Sequence, residues 1–317
     1  MSDSLTGSAL PSGAATITWD DTLDDIFAGD LVSALAYTTP AGGVVMTPVC
    51  PLGLRDRTHG RIGFTTALGN GRKLDRMTAD PRVALAFHTR EHGRSSRPGF
   101  VLVQGTARIG QMTPEVYSAM EDRLGIVRGW LWDRIMHSYY HERVVVWLDV
   151  KRITVGEPGS PIVAGESSRV IGASLAMPPG PHRPPGAGSA PRLDAVQAAR
   201  RVTAQQHVLL GYRGSDGHPE VVQASIASGD RAGITLTTER PLPPGGRRAC
   251  LLGHSFNARG IGISVDQHTG WLEVGEEARY APHTVQRFAV PKSKFISNLG
   301  SGLVTVFRRR ARLRNTA

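Results

Sequence analysis

Two cysteines in 317 residues, Cys50 and Cys250, cannot build a disulfide framework, and neither has a second ligand at metal-binding spacing. They fit a reducing compartment, so a cytoplasmic location is expected. Aromatic residues make up only 6% of the chain, which leaves little material for base-stacking platforms. No run of about 18 apolar residues occurs, so no membrane span and no membrane partner are expected. Met1–Gly13 lacks a basic region followed by an apolar run, which excludes a secretory signal there. Residues 1–19 read as a disordered leader. Phosphate-loop and hydrolase signatures are missing too. Gly69-Asn70-Gly71-Arg72-Lys73 has no Gly-Lys-Ser/Thr ending, and Gly253-His254-Ser255-Phe256-Asn257 lacks the second glycine of a nucleophile elbow.

What is present is a foldable, turn-rich chain. Forty per cent of residues are hydrophobic, and 37 glycines and 21 prolines point away from long helices. The length suits two domains. Lys and Arg outnumber Asp and Glu by 37 to 27, a net charge of +10, which favours an anionic partner. Part of that excess sits in Arg308, Arg309, Arg310, Arg312 and Arg314. A basic terminus of this size is usually solvated, so nucleic acid is not expected as a partner.

Eight prolines between Gly156 and Arg192, interleaved with Gly and Ser, mark a linker over residues 157–191. It divides the chain into an N-terminal block, 20–156, and a C-terminal block, 192–317. In the first, Asp20–Ala28 reads as a short amphipathic helix behind an acidic start. Leu31–Thr38 and Val44–Cys50 form a hairpin around Thr39-Pro40-Ala41-Gly42-Gly43. Arg61–Thr66, Val83–His88, Phe100–Ile109 and Val144–Val155 read as strands, Lys73–Ala79 as a helix stopped by Asp80-Pro81, and Glu115–His141 as mostly helical. Neighbouring strands on short connections suggest a small barrel.

The second block repeats the pattern. His207–Arg213 and Pro219–Ile226 mirror the hairpin, Ile234–Thr238 mirrors Ile62–Thr66, and Arg248–His254 mirrors Arg82–His88. Trp271–Tyr280 is matched to Val101–Ile109, with Gly275 set against Gly105. A repeat of about 170 residues implies duplication of a whole domain. The copies differ between Thr66 and Arg82, where the first carries the Gly-Asn-Gly-Arg-Lys loop and its helix. The second has a shorter gap with Pro241, Pro243 and Pro244.

Glycines before a helix start let a ligand approach exposed amides, and Arg72 with Lys73 would add a fork and a point charge suited to a phosphate monoester. Read alone, the stretch is equally a polar turn. His137 and His141 have the i, i+4 spacing of a metal-binding face but no third ligand, so no metal is expected. His88 and His254 occupy matching positions at strand ends, which favours a retained structural role.

The run Gly60–Thr66, Arg72-Lys73-Leu74, Met77, Asp80–Leu85 and Val103-Gln104-Gly105-Thr106-Ala107 resembles the flavin- and deazaflavin-binding split β-barrels typified by pyridoxamine 5'-phosphate oxidase. The resemblance covers residues 20–156, and the second block only through its likeness to the first. It implies a mainly β fold of two tandem split barrels with flanking helices, paired as an internal pseudo-dimer that could itself form a homodimer. It assigns Arg72 and Lys73 to the cofactor phosphate, Thr65, Thr66 and Asn70 to the loop beside it, and Thr47, Pro48 and Val49 to the strand along the ring. Trp271 and Arg279 are candidates for a second wall, Trp271 being equally a core aromatic. Val45-Met46-Thr47-Pro48-Val49-Cys50 stands where the authentic oxidases carry an Arg and a Lys, which argues against vitamin B6 oxidation. The implied cofactor is FMN or coenzyme F420, with haem ranking behind both. The implied activity is hydride transfer to or from a small organic substrate, a reaction that needs no acid–base triad. The alternative is a protein that holds a cofactor or haem without turnover.

Overall fold

The first helix, α1 (Asp21–Gly29), starts where Asp20 caps it, its carboxylate accepting from the Leu23 amide at 2.9 Å. Leu23, Ile26 and Phe27 turn inward, and Trp19, ahead of the cap, meets the Phe27 ring edge-on at 5.3 Å. Trp19 is 3% exposed and Ile17 packs beside it, so the expected leader ends before them. The computed structural model describes residues 16–69, 71–89, 95, 99–124, 143–156, 168–172, 177–257 and 263–289. Asn70, His137, His141, residues 1–15 and the arginine-rich tail lie outside the described residues.

Fourteen strands follow among the described residues, and the fold is mainly β. The first eight are β1 (Ser33–Thr38), β2 (Val44–Val49), β3 (Arg55–Asp56), β4 (Arg61–Ala67), β5 (Arg82–Phe87), β6 (Phe100–Gln111), β7 (Arg143–Gly156) and β8 (Ser168–Gly172). They form one antiparallel sheet in the order β2-β1-β5-β6-β7-β4-β3, with β8 beside β7. A single bridge, Cys50 to Thr65, ties the end of β2 to β4. Helix α2 (Gly71–Ala79) follows β4, and α3 (Pro114–Leu124) follows β6. The helix expected over Glu115–His141 is described only as far as α3. The second sheet holds β9 (His207–Arg213), β10 (Pro219–Asp230), β11 (Gly233–Thr238), β12 (Gly245–Ser255), β13 (Ser264–Val274) and β14 (Ala278–Ala289). It is a closed barrel, β10-β11-β14-β13-β12-β9. Helix α4 (Ala195–Thr203), capped by Asp194, buries Ala195, Ala198, Ala199 and Val202 against it.

Strand order is the same in both sheets when β1, β2, β4, β5, β6 and β7 are set against β9, β10, β11, β12, β13 and β14. The registers agree as well. Ala36 faces Ala84 in one sheet and Gly211 faces Cys250 in the other, while Val83 faces Gly105 and Ala249 faces Gly270. Both β6 and β13 bulge at that glycine, where a Cβ would collide with the carbonyl of Asp149 or of Ala281. The counterpart of Gly105 is therefore Gly270. This corrects the match to Gly275: Trp271 lies on β13, Arg279 on β14, and Gly275 in the turn between them.

Three apolar layers result. One fills the first sheet around Leu35, Phe64 and Leu85, and one fills the closed barrel around Leu210, Leu251 and Tyr280. The third lies between them and joins Ala34, Ala36, Met46, Ala84 and Leu102 to Leu209, Val221, Cys250 and Leu252. Contacts across it are reciprocal: β2 packs on β9, β12 and β13, and β10 packs on β1, β5 and β6. That is the pattern of an isologous two-fold interface. Met46, fully buried, lies on the bare backbone of Gly211, a burial worth about 1.5–3 kcal/mol. A polar cluster flanks this layer. Arg152 donates to Gln104 at 2.6 Å, Asp216 at 3.0 Å and Glu220 at 3.1 Å.

The proline-rich segment is more ordered than a linker requires. Part of it is β8, and residues 177–194 strap the closed barrel. His182 donates its amide to Gly246, Arg192 donates its amide to Pro282, and the buried Arg247 guanidinium donates to the carbonyls of Pro179, Pro243 and Pro244.

Candidate functional site

The seam where β2 meets β4 gathers the cationic residues. β4 ends in Thr65 and Thr66, both buried, and α2 begins four residues after Ala67. Helix α2 buries Leu74 and Met77 on the core. That rotation also turns Lys73 inward, 8% exposed, and leaves Arg72 exposed. The expected basic pair is thus split, and only Lys73 enters the seam.

A residue not singled out in the sequence supplies the second charge. Arg143 opens β7 directly opposite Ala67, and its Nη2 donates to Thr65 Oγ1 at 2.8 Å. Cys50, bridged to Thr65, completes the group. Lys73 has no hydrogen bond or ion pair among the described residues, and the charges that act on it are Arg143 and the Cys50 thiol. Burial first, and then the Arg143 guanidinium, pull its ammonium from 10.5 to about 7, with Cys50 opposing. Burial likewise pushes the Cys50 thiol up, against the pull of Arg143 and Lys73.

A buried ammonium that stands beside a guanidinium and has no carboxylate partner of its own among the described residues is a poor arrangement unless an anion joins it. A phosphate fits: Lys73 offers a point charge, Arg143 a fork, and the Thr65 hydroxyl and the start of α2 short-range donors.

The remaining candidates fall into two groups. Thr47 and Pro48 are half-buried and Val49 is buried, one strand-end away from Cys50, so they border the seam. Trp271 and Arg279 engage their own barrel. The Trp271 indole donates to Glu273 at 2.9 Å and covers Gly246, and Arg279 pairs with Asp230 on the surface. No contact of either residue with the seam appears among the described residues.

Imidazoles form another cluster. His88, directly after β5, and His254, at the equivalent position on β12, meet across the interface with Nε2 to Nε2 at 2.8 Å. His88 Nδ1 lies 2.9 Å from the Ala86 carbonyl and so donates to it, which makes its Nε2 the acceptor and His254 the donor. The His207 ring stands 5.1–5.2 Å from both. No group of three or more metal-ligating residues able to hold an ion occurs among the described residues, and no described helix is long and apolar enough to cross a membrane.

No family model matches the chain, and no curated protein does. Solved structures do. A conserved hypothetical protein, Rv2991, from Mycobacterium tuberculosis is 21% identical over 45% of this chain and 88% of its own, with a TM-score of 0.32. An F420 reductase is 16% identical over 41% of this chain and 94% of its own, with a TM-score of 0.32. A putative pyridoxamine 5'-phosphate oxidase from Lactobacillus delbrueckii is 14% identical over 43% of this chain and 93% of its own, with a TM-score of 0.29. Each likeness covers less than half of this chain.

Proposed function

We propose that this chain binds a phosphate-bearing flavin-type cofactor, FMN or coenzyme F420, at the β2–β4 seam and works as an oxidoreductase on a small organic substrate. The observation that carries this reading is Lys73, buried beside Arg143 with no carboxylate acting on it among the described residues. The bound ring system would supply the hydride chemistry. The chain's part is to hold the phosphate with Lys73, Arg143 and Thr65, to lay Thr47, Pro48 and Val49 along the ring, and to keep water out. We further propose that 20–156 and 192–317 are duplicated barrels forming a pseudo-dimer, as the common strand order and reciprocal packing support. The second copy has no counterpart of α2 among the described residues, which gives one cofactor site per chain.

A second reading, cofactor or haem storage without turnover, draws on the three histidines between the barrels, since imidazole is a haem-iron ligand. The deciding experiment is the visible spectrum of the purified protein, followed by titration with FMN, coenzyme F420 and haem. A flavin-type ligand that binds wild type, loses affinity in the Lys73→Ala/Arg143→Ala variant and is consumed with a substrate supports the oxidoreductase. A Soret band with no flavin binding supports storage. Unchanged flavin affinity in the double variant removes the seam assignment.

A further inference from the structure

Each barrel seats its first hairpin turn against a corner of the other, and the two corners differ in charge. At the first, Arg82 is neutralised within its own barrel, bonding Asp80 through Nε at 2.8 Å and Nη2 at 2.9 Å. Thr38, across the strand pair, donates to the same carboxylate at 2.7 Å. The β9–β10 turn closes that corner, with the Asp216 carbonyl accepting from Arg82.

The second corner has the same frame, with no acid bonded to its arginines among the described residues. Register equates Arg82 with Arg248, Thr38 with Arg213, and Asp80 with Gly246. Arg213 and Arg248 follow directly on the Tyr212–Ala249 pair, so they stand opposite each other on β9 and β12, both half-buried. Like charges placed so repel. Neither guanidinium has a hydrogen bond or ion pair among the described residues, and Arg213 Nε is buried with no acceptor. Glu273 lies on that face beside Gly246, accepting from the Trp271 indole and acting on Arg247, with no bond to Arg213 or Arg248 among the described residues. Facing the pair, the β1–β2 turn brings Gly42 near Arg213 and Gly43 near Arg248, and Arg213 Nη2 also lies by Gly217, the glycine that Arg82 approaches from the first corner.

From the strap, His182 Nδ1 accepts from the Arg248 amide at 3.2 Å, which leaves its Nε2–H as a donor. Burial first, then Arg247, Arg248 and Arg213, push this imidazole down and keep it neutral, with no acid acting on it. We infer that this corner binds a doubly charged oxyanion, a phosphate ester or a pair of carboxylates, between the guanidinium groups of Arg213 and Arg248 with the His182 N–H beside them. The site is separate from the seam. The corner adjoins the Val44 end of β2 and the seam its Val49 end, and six residues at about 3.3 Å each separate the two by about 20 Å.

The test is calorimetric titration of the full chain with inorganic pyrophosphate at low ionic strength, in a Lys73→Met background that removes the seam's buried ammonium. Binding should persist in that background and weaken at least about tenfold when Arg213→Thr and Arg248→Gln are added. In the absence of ligand, either corner substitution alone should raise Tm by relieving the cross-strand repulsion. A citrate titration identifies the source: tighter pyrophosphate points to a phosphate ester, tighter citrate to carboxylates. No binding at millimolar pyrophosphate or citrate, or equal affinity with and without the corner substitutions, overturns the inference. Failure of flavin binding would leave it standing.

Discussion

Replacing Lys73 by methionine keeps the length of the side chain and removes a charge that the folded protein holds at a cost. The ammonium titrates at about 7 in the folded chain, against 10.5 for a lysine in water. At about 1.4 kcal/mol per decade, that gap is a penalty of up to about 5 kcal/mol. Water reaching the 8% exposed group lowers it, and we expect the Lys73→Met variant to recover at least about 2 kcal/mol at pH 7. In a chain of this size that is at least about 3 °C in Tm. The sign follows from proton counting. Between pH 7 and 10.5 the unfolded chain carries a proton at Lys73 that the folded chain has lost, so wild-type stability rises with pH across that window. The advantage of Lys73→Met is therefore full at pH 7 and below and vanishes near pH 10.5. A phosphate dianion in the seam restores the charge, so binding above pH 7 takes up close to one proton and weakens by up to about tenfold per pH unit. Calorimetry at pH 8 in buffers of different ionisation heat measures that uptake with FMN. A variant no more stable than wild type at pH 7, together with zero proton uptake, would refute the placement of Lys73 as an unpaired cation awaiting an anion.

Two further outcomes concern the interface. Arg152→Met should destabilise the chain by about 3 kcal/mol in a denaturant titration, because the buried guanidinium holds Gln104, Asp216 and Glu220 together and its loss strands the Glu220 carboxylate; a change below about 0.5 kcal/mol would mean that the cluster is surface decoration. His254 is fully buried, and burial first, then His88 and His207, push it well below 6.5. On acidification below pH 6.5 the unfolded chain takes up a proton that the folded chain refuses, so stability should fall by about 1.4 kcal/mol per pH unit. His254→Gln should flatten that slope, and an unchanged slope would place the acid sensitivity elsewhere.

Most of the local structure is legible in the sequence because local chemistry decides it. The Asp20 cap, the Thr39–Gly43 turn and the apolar runs of β1, β2 and β5 need no distant partner. Lys73 is legible by the same logic, as a cation at a helix start after glycines. Arg143 is not, because nothing near it in the chain marks it. Only the β4–β7 register brings it to Thr65, 78 positions away. Trp271 misleads for a different reason. Gly270 and Gly275 are both plausible partners for Gly105, and the choice rests on which glycine a bulging strand presses against a carbonyl. The strap over 177–194 is hidden because proline-rich composition describes an extended chain equally well whether or not a barrel lies beneath it.

The unequal corners also bear on why two barrels would share one chain. In a homodimer with a two-fold axis, any change at one corner appears at the other, so a pair of opposed arginines could not arise without costing stability twice. Under the proposed duplication, barrels joined in one chain are free to differ. Thr38 and Asp80 neutralise Arg82 at one corner, while Arg213 and Gly246 leave Arg248 unpaired at the other. The helix that turns Lys73 inward follows β4 and has no counterpart after β11 among the described residues. His88 and His254 still meet near the axis as equal partners would, and yet the hydrogen bond between them needs one donor and one acceptor, so even there the symmetry is broken. On the proposed duplication, fusion would let the packed centre stay two-fold while the periphery specialises, as the proposed cofactor seam and anion corner require.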